Sequence, residues 1–84
     1  MPEISRFYGI VIKMFFIQSE HNPPHIHAVY SDYTGALTIR TGEVMFGDLP
    51  AKAIHLVQEW IAANGEDLLS MWESQQLKKL PPLS

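Results

Sequence analysis

Gly47-Asp48-Leu49-Pro50-Ala51-Lys52-Ala53-Ile54-His55-Leu56-Val57 is the stretch in which the periodicity of the chain changes. Upstream of it, apolar residues recur at alternate positions, the repeat of a strand; downstream they recur at helical spacing. Asp48 is a suitable helix cap and Pro50 suits a first turn, so a helix is expected to start here. Ala53, Ile54, Leu56, Val57, Trp60, Ile61 and Ala63 then form a wide apolar stripe. Asn64-Gly65 reads as its stop. A second helix is predicted over residues 66–77, with Leu68, Leu69, Trp72 and Gln76 spaced for one face. Glu66 and Asp67 at its start and Lys78 and Lys79 at its end suit the helix dipole, and Pro81-Pro82 end it.

Working back toward the N-terminus, residues 6–17 read as one strand. Tyr8, Ile10, Ile12, Met14 and Phe16 share a face; Phe7, Gly9, Val11, Lys13 and Phe15 make a mixed one. Residues 18–24 form a loop in which Pro23 and Pro24 forbid ladder hydrogen bonds. Strands are predicted at 25–31, 36–40 and 43–46, separated by turns at Asp32-Tyr33-Thr34-Gly35 and Thr41-Gly42. Short connections favour antiparallel neighbours. The expected fold is α+β: an antiparallel meander of three or four strands, followed by two helices packed on one face. One domain over residues 1–84 is expected, strand-rich from about 6 to 48 and helical from about 50 to 79.

Composition narrows the function. The chain has 84 residues, 46% hydrophobic and 11% aromatic, enough to build a core and too apolar for a disordered chain. A domain of this size hides only about 60–65% of its unfolded surface. It has no cysteine, so neither a disulfide nor a thiolate metal site can brace it. With the small core goes a second feature, apolar Val11 and Phe15 on the mixed face of the first strand. A homodimer or an obligate small partner protein is expected to cover such surface. The net charge is −3, and the first fifty residues hold Arg6, Lys13 and Arg40 against Glu3, Glu20, Asp32, Glu43 and Asp48. No duplex-DNA surface is indicated, although a few cations can still surround one RNA phosphate. The run Met1-Pro2-Glu3-Ile4-Ser5-Arg6 lacks the pattern of a secretory signal, and the apolar stretch 7–17 is too short to span a bilayer. The expectation is a cytoplasmic protein with no membrane partner.

Chemistry concentrates in Glu20-His21-Asn22-Pro23-Pro24-His25-Ile26-His27-Ala28. His25 and His27 are two apart, so on a strand their rings project from one face, opposite Ile26 and Ala28 and toward solvent or a cleft. The Pro-Pro corner can fold His21 back toward the pair. Three readings stay open. His21, His25 and His27 can ligate a divalent metal, the one cofactor these residues leave open where none is the default. His25 and His27 can work as acid and base beside Arg40 or Arg6, as a small ribonuclease requires. Or the histidines are structural, or touch a partner, with His21 or Asn22 fixing the corner through backbone hydrogen bonds. The candidate catalytic residues are therefore His25, His27 and Arg40. The candidate binding residues are His21, Asn22, Arg6 and Tyr30, with Lys13 and Glu43 in support. A nucleotide-binding histidine triad is ruled out by Val29 at its third position, and a cupin-type site by Ser31 and Asp32 where a glutamate is needed. Trp60 and Trp72, among Leu and Ile at helical spacing, read as core.

The N-terminal run 1–10, the His-Asn-Pro-Pro-His-x-His-Ala block at 21–28, Thr41-Gly42-Glu43-Val44, Leu49-Pro50 and Leu56-Val57-Gln58-Glu59-Trp60 resemble a bacterial family, domain of unknown function 4160. The likeness extends over nearly the whole chain, and the histidine block is its specific part. The resemblance implies a small protein that acts with a partner of the family domain of unknown function 2442, in a toxin–antitoxin pair. It transfers no catalytic role to any residue, only the motif positions His21, Asn22, Pro23, Pro24, His25 and His27.

Overall fold

A computed structural model describes residues 3–14 and 23–83. Five strands, β1 (Glu3–Phe7), β2 (Ile10–Lys13), β3 (His25–Tyr30), β4 (Tyr33–Thr38) and β5 (Val44–Gly47), precede one helix, α1 (Ala51–Ser74). The strands form a single antiparallel sheet in sequence order, β1-β2-β3-β4-β5. The α+β meander is as expected; the number of elements is not.

The expected first strand is a hairpin. Tyr8 (φ 50) and Gly9 (φ 80) both take positive φ, and Phe7 pairs with Ile10 across them. Two positive φ angles give a turn whose twist matches that of the flanking strands. Tyr8 is thus exposed at a turn instead of sharing the buried face of Ile10, Ile12 and Met14, while Phe15 and Phe16 lie outside the described residues. The β3–β4 turn is equally tight: Tyr30 pairs with Tyr33 around Ser31 (φ 55) and Asp32, so Tyr33, Thr34 and Gly35 are strand, not turn.

The two expected helices are one. Asn64 leaves helical geometry (φ −122, ψ 15), and its Nδ2–H donates to the Trp60 carbonyl at 2.9 Å. The result is a kink, not a stop. The chain continues helically because Leu68 and Met71 beyond the kink are buried in the same core as Val57, Trp60 and Ile61 before it. The helix ends at Gln75, whose left-handed conformation (φ 58) lets its N–H reach the Met71 carbonyl. Asp48 does not cap the helix, whose cap residue is the extended Pro50, with no side-chain cap. The Asp48 carboxylate instead accepts the Thr34 N–H at 3.0 Å and ties β5 to β4.

α1 covers one side of the sheet. Ile10, Ile12, Met14, Ile26, Ala28, Leu37 and Ile39 meet Ala53, Val57, Trp60, Ile61, Leu68 and Met71 there. Two glycines make the close approach possible. A Cβ on Gly35 would stand 2.8 Å from Leu49 Cδ1, and one on Gly47 (φ +117) would collide with the backbone of Gly35 and Thr34. After the helix, the chain returns along β1: Leu80 N–H donates to the Ile4 carbonyl at 2.9 Å, and Trp60 Nε1–H to the Pro81 carbonyl at 2.8 Å.

Candidate functional site

The other side of the sheet carries the histidines. Register places Lys13, His27, Ala36 and Phe46 in one row across β2, β3, β4 and β5. Arg6, Val11, Val29 and Thr34 form the next row. His25 and His27 share this face, with ring centroids 5.1 Å apart.

Their surroundings differ. His25 is buried (4% exposed), against the expectation of an open position. The reason lies at the end of the sheet, where the half of α1 beyond the kink brings the Trp72 ring to 5.2 Å from the His25 ring. His25 Nδ1 is 2.9 Å from the Pro23 carbonyl; Nδ1–H donates, because a carbonyl can only accept. That leaves Nε2 as the acceptor of the neutral ring. Ile39 N–H in turn donates to the Pro24 carbonyl at 3.0 Å, so both proline carbonyls are bound where β3 begins. His27 is only half buried, and its second aromatic neighbour is Phe46, at 6.1 Å.

The remaining candidates are not gathered here. Arg40 lies in the turn after β4 and lines a depression with Asn64, Gly65, Glu66 and Asp67 at the helix kink. Arg6 is exposed on β1, held by Glu3 through a 2.8 Å contact from Nη2 and a longer one from Nε. This pairing draws the Glu3 carboxyl below its ordinary value, first through the hydrogen bond from Arg6; Lys79 and Lys13 add attraction at longer range. Tyr30 is at the far end of β3 from His25, five residues or about 17 Å along the strand. It stacks on Tyr33, with ring centroids 6.5 Å apart and 16° between planes, and lines a separate cavity with Tyr8 and Lys52. Glu43 is exposed just before β5. His21 and Asn22 lie outside the described residues, and so does any metal set that includes His21. Among the described residues, no group of three or more His, Cys, Asp or Glu side chains is placed to hold a metal ion.

Sequence reasoning passed over two neighbours. Trp72, expected in the core from its helical spacing, does pack against it, and its half-buried ring also meets His25, which the spacing does not suggest. Phe46 reaches the His27 row only because β4 and β5 pair in this register. Lys13, a supporting candidate, stands directly opposite His27. Strand alternation alone could have suggested that meeting, once β2 was set beside β3.

A sheet bearing a histidine pair on the face opposite the one that α1 covers defines the class: a small α+β protein. The chain belongs to the family described as domain of unknown function (DUF4160), whose family model matches residues 9–73. Neither a curated protein nor a solved structure was found to match it. No helix among the described residues is long and apolar enough to cross a membrane.

Proposed function

We propose that the chain is a cytoplasmic interaction protein, one member of a two-protein toxin–antitoxin module, whose small partner covers the sheet on the side that α1 leaves open. The observation that carries this reading is the exposure of a large apolar ring at β5: Phe46 is 56% exposed. Phe46 continues the row through Ala36 to His27, so an exposed apolar ring and a histidine share one surface. An apolar ring exposed in this way beside a histidine on a small chain fits a covering partner better than bare solvent. The test is co-expression with a small protein of the family domain of unknown function 2442. The reading expects the two to purify together, and any growth defect caused by one to be relieved by the other. Separate elution and unrelieved growth would end it.

A second reading has its own observation. Lys13 opposite His27 puts a cation next to an acid–base group, as a histidine-dependent ribonuclease needs, with no metal required. Cleavage of single-stranded RNA that is lost in both His27→Ala and Lys13→Ala would favour it. RNA left intact by the purified chain would count against it.

A further inference from the structure

The cavity that Tyr30 lines lies at the opposite end of β3 from His25, on the α1 side of the sheet. Tyr30 pairs with Ile10 on β2 and with Tyr33 on β4, so the three side chains share one face. Ile10 fixes which face it is, because it belongs to the core under α1. The cavity measures about 650 Å³, within the range of small-molecule sites. Ile10 and Leu56 give it an apolar lining, and Tyr8 and Tyr30 add two aromatic rings.

Neither ring is hidden in the core: Tyr8 is 61% and Tyr30 36% exposed. The Tyr30 ring is held in place between the stacked Tyr33 ring and the β1–β2 turn, where a Cβ on Gly9 would stand 3.5 Å from Tyr30 Cε1. Tyr8 opens that turn at φ 50. Asparagine, aspartate or glycine suits such a position, and a bulky side chain there is uncommon. Strained backbone of this kind gathers at ligand sites. The turn gives no reason for an aromatic residue at position 8, whereas a wall for a flat ligand does.

Charge stands at two points. Lys52 and Glu59 line the cavity from α1, and both are exposed. Among the described residues, neither has an ion-pair partner. Seven residues of helix separate them, about 10 Å along the axis. That span suits one aromatic ring with a short acidic arm and a hydrogen bond at each end. Lys52 lies in the first turn of α1, which has no side-chain cap and no acidic residue, so the positive end of the helix adds to its ammonium.

We infer that this cavity binds a small aromatic acid whose ring carries a hydroxyl or amino donor at the end away from the carboxylate. The ring lies against Tyr8 and Tyr30, the carboxylate meets Lys52, and the donor meets the Glu59 carboxylate. The site is separate from the Lys13–His27 row, which is on the other face of the sheet.

The test titrates the full chain, labelled for amide NMR, with para-hydroxyphenylacetate. Shifts are expected to concentrate at Tyr8, Gly9, Tyr30 and Lys52. Phenylacetate, which lacks the donor, should bind about two- to fivefold more weakly, the effect of one exposed charged contact. Tyramine, which replaces the carboxylate by an ammonium, should bind more weakly still. Lys52→Met should lower affinity for the hydroxylated acid by about two- to fivefold, and Glu59→Ala should remove its advantage over phenylacetate. Tyr8→Asn keeps a residue that the turn favours and removes the ring, so binding should fall while the fold persists. The inference is overturned if the acid does not bind, if its shifts centre on His27 and Val29, or if tyramine binds as well as the acid. Affinity unchanged in Tyr8→Asn and Lys52→Met would overturn it as well.

Discussion

The ring of His25 lies 5.2 Å from that of Trp72, so the first residue of β3 belongs to the packing between the sheet end and the far half of α1. His27, two residues on, has Phe46 as a further aromatic neighbour on the side opposite the α1-covered core. One motif thus holds a histidine buried in the fold and a histidine only half buried.

The two should separate on substitution. His25→Ala removes a buried ring and leaves the Pro23 carbonyl without its donor. A loss of about 1–3 kcal/mol is expected by urea denaturation. His27→Ala, at a half-buried position, should cost about 1 kcal/mol or less and act mainly on partner binding or RNA cleavage. Equal losses in the two variants would contradict this division.

Gly47→Ala should be more damaging than its size suggests. The left-handed backbone and the closeness of Gly35 and Thr34 leave no room for a Cβ. A loss of about 2 kcal/mol or more is expected, with faster amide exchange in β5. A variant of unchanged stability would show that β5 is held less closely than described.

Removing the indole donor should loosen the returning C-terminal segment. Trp60→Phe keeps most of the buried ring and deletes the hydrogen bond to the Pro81 carbonyl. The expected cost is about 1–2 kcal/mol, including an orphaned carbonyl, and the Leu80 amide should exchange faster. Protection at Leu80 equal to that of the parent chain would argue that the indole does not anchor this segment.

The meander and the helix start could be read from the residues because both depend on local periodicity, and the register of Ile10, Ile12 and Met14 against the core follows from alternation. The Tyr8-Gly9 turn could not. Tyr8 shares the parity of Ile10, and a tyrosine at φ 50 carries no turn signal of its own. Asn64-Gly65 misled for the opposite reason: a strong stop signal was overridden by burial of Leu68 and Met71 on the shared core. At the site, the common face of His25 and His27 was legible. The burial of His25 was not, because it depends on the Trp72 contact made across the fold.

The Glu3–Arg6 pair gives a pH signature. Because the folded carboxyl titrates below its ordinary value, its stabilising share is present above the unfolded value and is lost as pH falls through the folded one. Arg6→Gln should return the Glu3 carboxyl toward its ordinary value in an NMR titration. An unchanged midpoint would mean that the pair does not persist in solution.

Sedimentation of the chain co-expressed with the proposed partner, a small protein of the family domain of unknown function 2442, tests the central claim most directly, run once with the parent chain and once with Phe46→Asp. Phe46 is 56% exposed, so the variant should fold. The account expects a complex of the two proteins with the parent chain and its loss with Phe46→Asp. A chain that sediments alone in both runs, or a complex indifferent to Phe46→Asp, would contradict it.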